Sequence, residues 1–146
     1  MLEPMDLSSD NMRALWREAG SVSVAARPRP SLTGPDRVLV DVVRAGLCRT
    51  DLYVARGELP GAASRLVLGH ELAGRVRAVG AAVTTLAPGD PVAVDPRLRC
   101  ARCEDCAAGR RCDRGGMIGV QRDGAFCETL ELAAARALRL PPGLGF

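Results

Sequence analysis

Four cysteines, Cys100, Cys103, Cys106 and Cys112, fall inside the string CARCEDCAAGRRC. Two Cys-x-x-Cys steps share Cys103, and the fourth cysteine follows after five intervening residues. Four thiolates this close in sequence are what a tetrahedral, closed Zn²⁺ site needs. Each Cys-x-x-Cys lets a tight turn aim two sulfurs at one point. Arg99, Arg102, Arg110 and Arg111 flank the run and are expected to offset the negative charge of a four-thiolate centre. Free thiols or a disulfide pair are the alternative, and a chain without a secretion signal rarely keeps disulfides. A closed site leaves no position open for substrate, so this cluster is expected to be structural.

Chemistry must then come from elsewhere. The chain has one histidine, His70, in Gly69-His70-Glu71, and an isolated cysteine, Cys48, beside Arg49, Thr50 and Asp51. A lone histidine is more often structural than a ligand. Yet one thiolate and one neutral imidazole are two of the three protein ligands that an open, catalytic zinc uses. Asp51 could accept a hydrogen bond from the other ring nitrogen and fix the tautomer. Glu71 is a candidate extra ligand. Two ligands alone do not make a site.

These residues must be positioned by short strands. MRALW (12–16) and SVSV (21–24) flank a turn at 18–20, and RVLVDVV (37–43) alternates with a period of two. The last of these runs into a corner carrying Cys48. Thr50 and Asp51 are expected to cap a short helix over 52–56, with Gly57 ending it. LVLGHELAGRVRAVG (66–80) reads as strand, its glycines Gly69, Gly74 and Gly80 marking bends or close backbone approach. PVAVDP (91–96) leads into the cysteine loop. Arg122-Asp123-Gly124 is expected to be a hairpin turn, with AFCETLEL (125–132) as its returning strand. Cys127, within that strand, reads as a buried small hydrophobe. ALRLPPGLGF (137–146) gives a last short strand and a proline-stiffened exit. The pattern predicts a mainly β fold: a β-barrel with one or two short helices and a metal-binding loop.

Composition excludes several function classes. The 146 residues carry a net charge of +3, too small to argue for nucleic acid or an acidic membrane. Every basic residue is arginine. Aromatic residues are 3%, which disfavours base-stacking platforms. No apolar run approaches the roughly 18 residues of a membrane span, and the first residues lack the pattern of a signal peptide. Six cysteines in such a chain point to the cytoplasm. Residues 1–11 are polar and are expected to be a disordered extension, with one domain over 12–146.

The strings AGLCRTDLYVARGELP (45–60), LVLGHELAGRVRAVG (66–80) and PGDPVAVDP (88–96), followed by the cysteine quartet, resemble the zinc-containing medium-chain alcohol dehydrogenase family. The resemblance covers nearly the whole chain, and the motifs taken jointly are specific. It implies the N-terminal catalytic domain of that family, a GroES-like barrel. It further implies that Cys48 and His70 ligate a catalytic zinc, with Glu71 beside it as a neighbouring or exchanging carboxylate. Asp51 would orient His70, Thr50 would pass the alcohol proton outward, and Arg49 would face the pyrophosphate of NAD or NADP. Cys100, Cys103, Cys106 and Cys112 would hold the structural zinc. Zn²⁺ would act as a Lewis acid on the alcohol oxygen, giving an alkoxide from which hydride passes to the nicotinamide.

The chain departs from the family pattern at three points. The third ligand of the catalytic zinc and the Rossmann domain fall outside the matched region; Gly115-Gly116-x-x-Gly119 lacks the strand and helix of a dinucleotide fingerprint. The chain is therefore expected to be half of an enzyme, a fragment, a natural half or a retired domain, inactive until a cofactor-binding domain joins it in cis or in trans. The Cys106–Cys112 spacing is two residues shorter than is common in the family. Tyr53 stands where many relatives place a relay histidine, and a tyrosine with an unperturbed pKa of about 10 exchanges protons poorly near neutrality. The expected partners are a small-molecule alcohol or polyol and that domain, with homo-oligomerisation left open. Two other functions compete: a non-catalytic, zinc-stabilised barrel acting as a binding or structural module, and a redox sensor built on the cysteine loop.

Overall fold

The computed structural model describes residues 10–110, 112 and 114–146. Strands β1 (Asn11–Glu18) and β2 (Ser21–Pro28) pair antiparallel from Asn11↔Pro28 to Glu18↔Ser21. The two residues between them, Ala19 and Gly20, both have positive φ, 48° and 81°. That is the tight hairpin geometry whose twist matches the flanking strands. Both strands outrun the apolar strings that signal them, because backbone pairing continues through Arg13, Arg17 and Arg27. The segment 1–9, the bulk of the expected extension, lies outside the described residues.

Strand β3 (Arg37–Gly46) is central. It lies between β5 (Glu71–Val79) and β9 (Thr129–Ala133) in a sheet completed by β6 (Pro91–Val94) and β10 (Ala137–Arg139), in the order β10-β6-β5-β3-β9. A central strand is covered on both faces, and Val38, Leu39 and Val40 are all buried. The β3–β5 register shifts twice, between Leu39 and Val40 and between Val42 and Arg44. Gly74 lies at the second shift, where a Cβ would overlap the Asp41 carbonyl; close backbone approach is why glycine sits there. Val38, Val40, Val76, Val92 and Leu132 form the main core beneath this sheet.

Strand β4 (Arg65–Val67) joins the hairpin in a second sheet, β2-β1-β4, and the short β7 (Arg97–Leu98) and β8 (Gly116–Met117) pair at the root of the cysteine loop. The two larger sheets are joined through residues 124–128. Leu15 N–H donates to Phe126, Gly124 N–H to Val67, and Val42 N–H to Glu128. This overturns the hairpin reading of 122–124. Regular strand begins only at Thr129, because residues 124–126 hydrogen-bond to 67–69 instead of forming a local turn. A mainly β fold with two short helices is as the patterning predicts.

Helix α1 (Arg49–Arg56) follows β3, and α2 (Glu104–Ala107) lies within the cysteine loop. Eight residues are too few for an isolated helix, so packing must fix α1. It buries Asp51 and Val54 at i, i+3 spacing, with Val54 against Leu66, Leu68 and Val120. Full burial of such side chains stabilises by about 1.5–3 kcal/mol each. Arg17, 8% exposed, donates from β1 to the carbonyls of Ala55 and Ala63 (3.4 and 2.8 Å), tying the end of the helix to the following loop. Gly57, with φ of 76°, terminates it as expected. Its start differs from expectation. The N-cap is Cys48, and Asp51 caps from the third helical position, its Oδ2 reaching back to the Cys48 N–H at 2.9 Å.

Candidate metal centres

Two groups among the described residues have metal-ligating geometry: Cys100, Cys103, Cys106 and Cys112, and Cys48, His70 and Glu71. In each, the donor atoms lie within 4.8 Å of one another.

The sulfurs of Cys100 and Cys106 are 3.8 Å apart, as are those of Cys103 and Cys112. A tetrahedron of Zn–S bonds near 2.3 Å separates its sulfurs by about 3.8 Å. A disulfide would need about 2.05 Å, and all six cysteines are free. The four thiols therefore fit one dication. The shortened Cys106–Cys112 spacing does not exclude Cys112 from the cluster. Ala101 takes a left-handed conformation, φ 55°, within the first Cys-x-x-Cys, and Cys103 caps α2, its sulfur accepting the Cys106 N–H at 3.4 Å.

The Arg102 backbone N–H and the neighbouring Cys103 hold the Cys100 thiol down at about 6. The Cys100 backbone contact acts to lower Cys112, but burial and the adjoining sulfurs prevail and push it up to about 11. Of the four arginines expected to offset the charge of the cluster, two are engaged elsewhere. Arg99 donates to the Gly109 carbonyl and Arg110 pairs with Asp105, while Arg111 lies outside the described residues. Arg114, outside that set, brings a guanidinium to the sulfurs. The charge on Cys100 and a hydrogen bond to Cys103 raise its pKa further.

The second group is assembled from three elements. Cys48 comes from the cap of α1, His70 from the link between β4 and β5, and Glu71 from the first residue of β5. Asp51 holds the first two together. It is 2% exposed; its Oδ2 accepts the Cys48 N–H at 2.9 Å, and its Oδ1 lies 3.0 Å from His70 Nδ1. A carboxylate facing Nδ1 assigns the proton to that nitrogen and leaves the Nε2 lone pair free. Nε2 faces Glu71, whose Oε1 is 3.9 Å away. His70 is buried, whereas the Glu71 side chain is 54% exposed, so the donors open toward solvent. Glu71 folds over Gly46, where any Cβ would collide with its carboxylate.

Thr50 presents its hydroxyl 3.7 Å from the Cys48 sulfur, beside the donors. Arg49 is exposed at the first position of α1, and Tyr53 is 43% exposed one turn later. Cys127 joins neither group. Its sulfur lies 3.3 and 3.2 Å from the carbonyls of Gly124 and Thr129, and burial pushes its pKa up to about 12. It is half-buried, as a small apolar residue would be.

What the residue patterns did not reveal is the support behind His70. Gly69, with φ of 93°, lies beneath the Phe126 ring, and its carbonyl is so close to Gly119 and Gly124 that a Cβ on either would overlap it. Gly115 and Gly116 likewise serve packing: a Cβ on Gly115 would strike the Leu98 carbonyl. The Asp-Gly pair at 123–124 was the available signal, but alone it reads as a turn.

Known proteins share this domain. The sequence profile of the alcohol dehydrogenase GroES-like domain matches residues 34–142. L-Threonine 3-dehydrogenase of Streptomyces avermitilis is 41% identical over 113 residues, covering 74% of this chain and 33% of that protein. A zinc-binding dehydrogenase of Sinorhizobium meliloti solved with NADP superposes with a TM-score of 0.84 at 37% identity, over 92% of this chain and 40% of that one. Galactitol-1-phosphate dehydrogenase from Escherichia coli superposes with a TM-score of 0.85 at 33% identity, over 92% and 39%. The chain thus spans about a third to two-fifths of the length of these relatives. The shared domain, and the two donor groups folded into it, place the chain in the zinc-containing medium-chain alcohol dehydrogenase family.

Proposed function

We propose that residues 12–146 are the catalytic domain of a zinc- and NAD(P)-dependent dehydrogenase acting on an alcohol or polyol. The observation carrying this reading is the convergence of Cys48, His70 and Glu71 to within 4.8 Å, with Asp51 bonded to both the Cys48 backbone and the imidazole. On this reading Cys48 and His70 hold a catalytic zinc, with a further ligand from outside this chain, and Cys100, Cys103, Cys106 and Cys112 hold a structural one. A structural relative described as a zinc-binding dehydrogenase and bound to NADP supports the zinc and the dinucleotide of this reading.

When bound, the zinc supplies Lewis-acid polarisation of the alcohol oxygen and the nicotinamide supplies the hydride acceptor. The remaining work belongs to the chain. Asp51 keeps the His70 Nδ1–H in place, so that Nε2 presents its lone pair. The Thr50 hydroxyl can accept the alcohol proton and donate its own onward, since a hydroxyl does both. Tyr53 is exposed on the same helix and exchanges protons poorly near neutrality, so on this reading the relay ends in water. Arg49, exposed at the start of α1 beside a helix N-terminus that favours anions, would hold the pyrophosphate of the dinucleotide. Turnover then requires a dinucleotide-binding domain in cis or in trans. The free thiols fit a reducing, cytoplasmic setting.

A metal count tests this. Two zinc ions per chain, falling to one in His70→Ala, is the expected result. One zinc, unchanged in His70→Ala, would instead leave a metal-stapled barrel acting as a binding module.

A further inference from the structure

Gly69 immediately precedes His70, and a glycine backbone is the most permissive there is. Metal sites nevertheless tolerate ligand displacements of only about 0.2 Å. The precision of His70 must therefore be imposed on Gly69 from outside, and the structure shows where from. Residues 67–69 are clamped along one side by 123–126. Gly124 N–H donates to the Val67 carbonyl (2.8 Å), Ala125 N–H to Gly69 (2.8 Å) and Phe126 N–H to Leu68 (2.9 Å). In return the Asp123 Oδ1 accepts the Val67 N–H at 2.9 Å. Leu68 N–H is taken by Leu15 of β1 on the other side. The Phe126 ring covers Gly69 so closely that even a methyl group would not fit between them.

Asp123 is exposed at the surface, yet its carboxylate accepts this backbone N–H. The loop is closed on itself by the Gly119 N–H donating to the Arg122 carbonyl (2.7 Å) and anchored to residues 61–63, with Ala63 N–H donating to Val120 (2.8 Å) and Gln121 Nε2 to Gly61 (3.1 Å). It is a fixed frame against which the histidine segment is held.

We propose that Asp123 and Phe126 are positioning residues for the His70 imidazole, setting the affinity of the Cys48/His70 metal site without touching the metal. The inference rests on the reading of Cys48 and His70 as metal ligands. Outer partners of metal ligands typically change affinity by about 10- to 100-fold, and an effect near the lower end is expected here, because Asp123 acts through three residues of backbone.

The test is a Co²⁺ titration of the metal-free chain, in which the four-thiolate site and the mixed Cys/His site give separate visible absorption bands. Asp123→Ala is expected to weaken the mixed site about 10-fold and leave the four-thiolate site unchanged. Asp123→Asn keeps an acceptor oxygen for the Val67 N–H and should restore affinity to within about threefold. Phe126→Leu should weaken the mixed site alone, and it serves if Asp123→Ala does not fold, as judged by Trp16 fluorescence. Equal weakening of both sites, or no weakening in a folded variant, overturns the inference. A single cobalt per wild-type chain removes the two-metal reading and this inference with it. Two cobalts with the variants unaffected remove this inference alone.

Discussion

Replacing Asp51 by asparagine keeps its volume and removes one function. Both partners of the wild-type carboxylate are N–H donors: the Cys48 backbone at 2.9 Å and His70 Nδ1 at 3.0 Å. An amide has one acceptor oxygen and one donor NH₂ group. If the oxygen stays with the Cys48 N–H, the NH₂ meets His70 and selects the tautomer with the proton on Nε2, which cannot bind metal. If the amide turns round, the cap N–H of α1 is left unpaired beside a residue only 2% exposed. The first arrangement loses a hydrogen bond to a charged group, about 1.5–3 kcal/mol, and the second leaves a buried donor unsatisfied at about 1–3 kcal/mol. The loss of an outer partner corresponds to about 10- to 100-fold in metal affinity, or about 1.4–2.8 kcal/mol. Asp51→Asn should therefore bind the second zinc at least about 10-fold more weakly in a chelator competition, with the four-cysteine site unaffected. Wild-type affinity for both metals in a folded Asp51→Asn protein would refute the claim that this carboxylate sets the tautomer.

Two further outcomes concern stability. Ala19 occupies a left-handed position, φ 48°, that costs an L-residue with a Cβ roughly 1–2 kcal/mol; Ala19→Asn supplies the residue such hairpins prefer and should raise the melting temperature by a few degrees in calorimetry, an unchanged value counting against stored strain. Glu131 is subject to burial, which acts to raise its pKa, but the Arg37 guanidinium and Thr33 outweigh this and hold it below its ordinary value. A depressed folded pKa means stability that is present above the unfolded value and lost as pH falls through the folded one. Thermal melts of the wild type should therefore decline between about pH 5 and pH 3 more than those of Glu131→Gln; parallel declines would show that this pair does not contribute.

How much of the site was legible in the sequence depends on how far apart its parts lie. Cys100, Cys103, Cys106 and Cys112 could be read as one metal cluster because thirteen residues of chain cannot carry them far from each other. The alternation in 37–43 announced β3 because a strand repeats every two residues. The helix after Cys48 was visible too, but not its cap. Cysteine is not among the usual capping residues, and Asp51 was expected as a cap ahead of Leu52 when it reaches back from the third helical position. The segment 122–132 misled for a related reason: Asp-Gly is a local turn signal, and here its hydrogen bonds go to Val67, more than fifty residues away.

By itself the sequence determined the four-thiolate loop, the strand pattern, and the residue types from which a second metal site could be made. Only the tertiary structure decided that Cys48, His70 and Glu71 meet, that one buried carboxylate bonds both the Cys48 backbone and the His70 ring, that Arg114 lies by the cysteine cluster, and that Gly119, Gly124 and Phe126 frame the backbone before the histidine. The physical reason is that side-chain periodicity encodes which face of an element is buried, whereas a hydrogen bond between distant backbone segments leaves no periodic trace. It arises when packing of Val54, Leu66, Leu68 and Val120 brings α1, the β4 segment and the 118–126 loop to one place.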